Sequence, residues 1–186
     1  MRACSLVLLL SLVAAPSAAQ TGTPSFLAYV HVIQVDTSHG NGIDACVIVG
    51  VDGQYRYEVS PPVGAPLSHT RVYVGKLPSE AFTRFKLLVH AKELRGIASS
   101  SQPRGSLLAA QKYETVSLRI LRTGETQEIV FTTVDSRNRM PTPLEAFIPW
   151  MKDIRKSLGK PDRRAERRGC SALDATPDFT PELQKR

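Results

Sequence analysis

The sequence predicts an α+β protein in which two amphipathic helices pack on one face of an antiparallel sheet of about five or six strands. Two observations are hairpin signals, because Asp52-Gly53 and Thr123-Gly124 each lie between two runs of strand-forming residues. The third is a pair of segments whose apolar residues recur every three or four positions, which is typical of helices with one buried face.

Strands are expected throughout the N-terminal half of the domain. Nearly every residue from 26 to 35 is apolar, which indicates a strand buried on both faces. The polar residues 36–43 then predict a loop. Three more strands are expected, at 44–51, from Gln54 onwards and at 71–75.

The first hairpin fixes which strand face is expected to be buried. A two-residue turn at Asp52-Gly53 pairs Val51 with Gln54 and places Cys46 on the same face as Tyr57. Because that face would then be uniformly apolar, we expect it to be the core side.

The first helix is predicted over about 78–95. Pro78 suits the first helical position, and an apolar stripe that includes Phe85 and Leu88 lies opposite a polar one. Gly96 follows, where a left-handed C-cap is expected.

A second hairpin is predicted from strands at 113–122 and 125–133. A two-residue turn pairs Val116 with Phe131 on one face and Arg119 with Glu128 on the other.

The last helix is expected to begin at a capping box, Thr142-Pro-Leu-Glu145. Its apolar seam runs from Leu144 to Leu158, and Pro149 within it is expected to cost a backbone hydrogen bond or cause a kink. Gly159 and Pro161 should stop it.

The N-terminal residues 1–19 are predicted to be a signal peptide. Arg2 gives a positive start, residues 6–15 are apolar apart from Ser11, and small residues precede an expected cleavage after Ala19. The run is too short for a membrane span, which needs about 20 apolar residues. The alternative is a buried N-terminal helix. The chain would then divide into this peptide, a domain at 20–160 and a basic, disordered tail at 161–186.

The positive charge is concentrated near the C-terminus. The whole chain of 186 residues carries a formal charge of +7, and residues 152–168 hold eight basic and three acidic residues. A nucleic-acid binder would spread its basic residues over a face, so nucleic acid is not an expected partner. The candidate residues for binding an anionic partner are Arg163, Arg164, Arg167 and Arg168; the alternative is a solubilising tail that binds nothing specifically.

Cleavage would remove Cys4 and leave Cys46 and Cys170. In an oxidising compartment an even number of cysteines favours pairing. Three outcomes stay open: a disulfide within the chain, two free thiols, and a bond between two chains.

The sequence contains no local motif of a hydrolase, nucleotide-binding protein or metalloprotease, so it predicts no catalytic residue, metal or cofactor. The loop from Asp36 to Asp44 lacks the spacing of a calcium-binding EF-hand. His31 and Cys46 are a candidate Cys–His pair. The predicted register places the two diagonally, about 7 Å apart, which is too far for a hydrogen bond.

We therefore expect a secreted or periplasmic, non-enzymatic domain that acts by binding an unknown protein or an anionic envelope component. The order of elements over roughly 26–158 resembles, in arrangement alone and without a shared motif, small protease-inhibitor domains of the emfourin kind. A small secreted protease inhibitor or peptide-binding protein is one alternative. An enzyme with an unrecognised site is the other.

Overall fold

A computed structural model describes residues 26–39, 41–60, 69–99, 111–123, 125–135 and 139–170. Its centre is one antiparallel sheet of six strands. The strands are β1 (Phe26–Asp36), β2 (Asn41–Gly50), β3 (Gln54–Ser60), β4 (Arg71–Lys76), β5 (Lys112–Arg122) and β6 (Glu125–Val134). Their order across the sheet is β4-β3-β2-β1-β5-β6. Each pair of adjacent strands is consecutive in sequence except β1 and β5.

The helices cover one face of this sheet. They are α1 (Ser79–His90), a 3-10 helix (Lys92–Gly96), the single turn α2 (Thr142–Glu145) and α3 (Phe147–Ser157). The predicted α+β class, with two principal helices against an antiparallel sheet, is confirmed. None of the described helices is long and apolar enough to cross a membrane.

The core lies between the helices and the sheet. Trp150 of α3 stacks on Phe85 of α1 with ring centroids 4.5 Å apart, and Phe147 meets the same ring edge-on. Beneath them lie side chains from the central strands, including Val30 and Val47. These contacts join both helices to the sheet in one apolar cluster.

The β5–β6 hairpin has the predicted register. Val116 pairs with Phe131 and Leu118 with Ile129. On the other face Arg119 Nε lies 2.6 Å from Glu128 Oε1.

The β2–β3 hairpin departs from the predicted register by one residue. Its loop has three residues, Val51 to Gly53, and Gly53 adopts a left-handed φ of +82°. A turn followed by a left-handed glycine is a common three-residue hairpin loop. Val47 therefore pairs with Tyr57 and Cys46 with Glu58. A shift of one residue exchanges the faces, so the prediction that Cys46 lies on the helix-covered side is wrong.

The first predicted helix is shorter than expected. Ala91 leaves the helical region with ψ of 130°, so α1 ends at His90 and the 3-10 helix follows. Gly96 ends that 3-10 helix, and its φ is not positive, so the predicted left-handed cap is wrong.

The last predicted helix is broken at Ala146 into α2 and α3. Pro149 thereby falls in the first turn of α3, where its missing N–H costs no helical hydrogen bond. Thr142 is the first helical residue rather than the cap, and Pro141 precedes it without a side-chain capping bond. The predicted capping box is therefore wrong.

Truncation of core side chains is expected to be costly. Leu118 is 2% exposed and Phe147 is fully buried. Replacing either by alanine should lower the free energy of unfolding by about 2–5 kcal/mol, because a cavity remains where the side chain packed. Urea denaturation measures this, with the exposed Leu87 as the control position. A loss below about 0.5 kcal/mol at Leu118 or Phe147 would contradict the assigned burial.

Candidate functional site

The second face of the sheet, opposite the helices, carries residues 161–170, here called the C-terminal segment. It is held beneath β1, β2 and β3 at a small cluster of Phe26, Tyr29, Cys46, Ile48 and Cys170. Cys46 and Cys170 form a disulfide with their Cα atoms 5.5 Å apart. This is the first of the three outcomes left open by the sequence, a bond within the chain.

A buried ion pair provides a second anchor for the C-terminal segment. The guanidinium of Arg56 donates to Glu58 Oε1 at 2.8 Å from Nε and 2.5 Å from Nη2. The other carboxylate oxygen of Glu58 accepts the backbone N–H of Gly169 at 3.0 Å. Arg56 also donates to the carbonyl oxygen of Glu166. Arg56 and Glu58, both in β3, are thus each hydrogen-bonded to the C-terminal segment.

Two further hydrogen bonds tie down the ends of the segment. The Tyr29 hydroxyl donates to the Cys170 carbonyl oxygen at 3.0 Å. At the other end, the Asp162 N–H donates to the carbonyl oxygen of Val72 at 2.8 Å, beside the edge strand β4. The segment therefore crosses the sheet from its edge to its centre.

The prediction of disorder is wrong for residues 161–170, which are anchored to the sheet. Their anchors are a disulfide, a charged pair and backbone hydrogen bonds, and none of these produces a repeating apolar pattern in the sequence. Residues 171–186 of the predicted tail, and the whole predicted signal peptide, lie outside the described residues. The division into peptide, domain and tail stays a prediction.

Anchoring the segment beside β4 builds a basic pocket of about 380 Å³. It is lined by His69, Arg71, Arg163 and Arg167, together with Thr70, Val72, Pro161 and Asp162. With His69 neutral, its three arginines and one aspartate give a formal charge of +2. The histidine and the three arginines are exposed, so an anion has access to them.

The structure brings together two of the four arginines proposed from the sequence. Arg163 and Arg167 line the basic pocket. Arg168 instead pairs with Glu166, with Nη2 and Oε2 3.1 Å apart. The Arg164 N–H donates to Asp162 Oδ1 at 2.9 Å, which closes the turn that carries these residues, and its side chain is exposed.

Sequence reasoning missed His69 and Arg71 because nothing in the sequence relates β4 to residues 161–170. It also missed the Arg56–Glu58 pair because the expected hairpin register was shifted. One signal was available: Arg56 and Glu58 are charged residues two positions apart, and so on one face, in a strand whose other residues include Tyr55, Tyr57 and Val59.

His31 lies directly opposite Cys46 across β1 and β2, rather than diagonally as predicted. Its Nε2 lies 2.8 Å from Asp44 Oδ1, in a hydrogen bond with the carboxylate. A catalytic Cys–His pair is not formed in this structure, because the Cys46 sulfur is bonded to Cys170.

A wider concavity of about 890 Å³ lies where β1, β2, β5 and β6 meet at one end of the sheet. Asp36 lines this concavity. It is the last residue of β1, and β2 begins at Asn41, so the loop between these strands is shorter than the predicted loop at 36–43. The pKa of Asp36 is held well below its ordinary value, mainly by a hydrogen bond from the Ser38 hydroxyl and secondly by a hydrogen bond from the Lys112 ammonium. Asp36 is therefore a carboxylate engaged with its own neighbours.

Comparison with protein-family models gives no match for this chain, and comparison with curated protein sequences also gives none.

Proposed function

We propose that this chain is a non-enzymatic binding protein of a secreted or periplasmic compartment, and that its basic pocket binds phosphate groups of an anionic envelope component. The observation that carries the proposal is the pocket itself, in which Arg163 and Arg167 of the C-terminal segment join Arg71 and His69. Arginine suits this ligand because its planar guanidinium forms paired hydrogen bonds with phosphate oxygens.

The compartment is supported by two independent features. The N-terminal sequence has the three regions of a signal peptide. The Cys46–Cys170 disulfide fits an oxidising compartment, since disulfides are rare in proteins kept in the reducing cytosol.

The size of the pocket supports a small anionic group as the ligand. A volume of about 380 Å³ lies at the lower end of the range for ligand pockets and is suited to a headgroup. The disulfide also fixes the segment before binding. The backbone that carries Arg163 and Arg167 is then already in place when the anion arrives, and only their exposed side chains have to be ordered, which preserves affinity.

The experiment compares vesicles of anionic phospholipid with vesicles of zwitterionic phospholipid, and adds soluble inorganic phosphate as a competitor. We expect the protein to bind anionic vesicles and to lose binding as salt is raised, because salt screens exposed charges. In the R163E/R167E variant, the affinity for anionic vesicles should fall by at least about 30-fold, because each arginine at the membrane surface contributes about 1 kcal/mol of binding free energy. Displacement by inorganic phosphate would identify the phosphate group as the ligand; retention would identify the lipid surface.

The matched control is K86E/K92E, which changes the net charge equally on the helix-covered face. Lys86 and Lys92 are both exposed and lie outside the basic pocket. This variant should bind within about threefold of the wild type, since screened distant charges contribute little. Equal losses in the two variants, or no binding to any of these probes, would contradict the proposal. The protease-inhibitor and enzyme alternatives stay predictions from the sequence.

A further inference from the structure

We propose that reduction of the Cys46–Cys170 disulfide creates a binding site for a divalent metal ion of the zinc class, held by His31, Asp44 and the two thiolates. The site lies on the second face of the sheet, under the C-terminal segment, and goes beyond the proposed binding of phosphate groups.

The ligand atoms are already close together. Nε2 of His31 lies 2.8 Å from Asp44 Oδ1, and a ligand atom from each of His31, Asp44 and Cys170 lies within 4.8 Å of the other two. The Cys46 sulfur is bonded to that of Cys170. In a tetrahedral zinc site, bonds of about 2.0–2.3 Å place neighbouring ligand atoms roughly 3.5 Å apart. Shifts of about 1 Å bring the ligand atoms of His31, Asp44 and Cys170 to that spacing, and the Cys46 sulfur, once released from Cys170, is the fourth ligand of the proposed site.

The site requires reduction because thiolates, not disulfide sulfurs, bind metal. A dithiol donor opens the S–S bond by thiol–disulfide exchange and becomes a disulfide itself, leaving one thiol on Cys46 and one on Cys170. When the metal binds, both thiol protons pass to solvent. The hydrogen bond between His31 Nε2 and Asp44 Oδ1 opens, and the proton on Nε2 moves to Nδ1 or to solvent so that the nitrogen lone pair can bind the ion.

The donor set and its burial favour zinc over magnesium or calcium. Two thiolates and an imidazole are the ligands of zinc and similar soft or borderline ions, whereas the hard cations take oxygen. His31 is 2% exposed, both cysteines are fully buried and the Asp44 side chain is 16% exposed, so the ion would be largely shielded from water. Glu58 would not compete as a ligand, since its carboxylate is engaged by Arg56 and Gly169.

Two hydrogen bonds hold Cys170 and its neighbour in position after the disulfide opens. The Cys170 carbonyl oxygen still accepts the Tyr29 hydroxyl, and the adjacent Gly169 N–H still donates to Glu58. The metal would then replace the disulfide as the cross-link between the C-terminal segment and the sheet.

The test uses the full chain carrying Cys4→Ser, so that Cys46 and Cys170 are the remaining cysteines. A water-soluble phosphine reduces it: the phosphine takes the oxygen of one water molecule, and the two thiols take its protons. The reduced protein is titrated with cobalt(II), a spectroscopic substitute for zinc. We expect one equivalent to bind, with thiolate-to-cobalt charge-transfer absorption and tetrahedral d–d bands that zinc abolishes. The oxidised protein should show neither.

His31→Ala and Asp44→Asn should each weaken cobalt binding at least tenfold, and the control His39→Ala, an exposed histidine outside the cluster, should not. A second readout does not depend on the folding of variants. One equivalent of zinc should slow alkylation of Cys46 and Cys170 in the reduced parent chain at least tenfold. Unchanged alkylation, absent charge-transfer bands, or equal affinities in the variants and the control would overturn the proposal.

Discussion

Replacing Cys46 and Cys170 together by alanine is expected to lower the free energy of unfolding by up to about 5 kcal/mol. The disulfide joins residues separated by 124 positions, and in the chain-entropy model closing so long a loop removes much of the freedom of the unfolded chain. Alanine keeps both positions apolar, so the loss of the cross-link is the main change. Denaturation in guanidinium, without reductant, measures the effect.

Two comparisons make this prediction specific. Wild-type protein reduced in the presence of a chelator should lose a similar amount of stability, because it loses the same cross-link without a metal to replace it. The distant substitution Leu87→Ala, at an exposed position of α1, should change stability by less than about 0.5 kcal/mol. A loss below about 1 kcal/mol in the cysteine variant would contradict a disulfide that holds the segment in the native state.

The single substitution Glu58→Leu is expected to cost about 3–5 kcal/mol of unfolding free energy. Glu58 is fully buried and Arg56 is 6% exposed. Removing the carboxylate leaves the guanidinium buried without its counter-charge, and breaking a buried pair from one side is strongly destabilising. It also takes the acceptor from the Gly169 N–H. Urea denaturation provides the measurement.

The matched variant is Arg56→Met/Glu58→Leu, which removes both charges of the pair. Because an apolar pair of similar volume often replaces a buried ion pair at little cost, the double variant should regain most of the loss. Equal destabilisation of the single and double variants would show that the pair acts through the Gly169 hydrogen bond rather than through its charges.

The fold class followed from local patterns, and the two hairpins show where such patterns suffice. The β5–β6 register was predicted correctly because apolar and charged pairs on opposite faces agree only in one alignment, with Val116 opposite Phe131 and Arg119 opposite Glu128. In β2–β3, nearly every residue of β2 from Ala45 to Val49 is apolar, so two registers are equally compatible with the pattern. The third loop residue, Gly53 with its left-handed backbone, decided between them.

The helix boundaries failed for a different reason. Periodicity identifies a buried face, but it continues across a break when the next helix buries the same side. Leu144 and Phe147 lie on either side of the break at Ala146, and both are fully buried. The sequence therefore indicated one continuous helix where the chain forms two.

The candidate site was partly predictable. The cysteine count made the bond between Cys46 and Cys170 one of three open outcomes. Charge clustering selected four arginines, of which Arg163 and Arg167 line the basic pocket. What sequence alone could not supply was the position of the segment on the sheet, because residues 161–170 have no periodic apolar face. Their hydrogen bonds with β3 and β4 connect residues at least 90 positions apart, the separation of Asp162 and Val72.

The central claim is that a disulfide holds the basic C-terminal segment against the sheet, and non-reducing peptide mapping of the monomeric protein tests it most directly. The protein is alkylated before digestion so that free thiols cannot rearrange, and the peptides are identified by mass spectrometry. We predict one cross-linked peptide pair that contains Cys46 and Cys170 and disappears on reduction. Complete alkylation of both cysteines in the unreduced monomer, after denaturation, would contradict the claim.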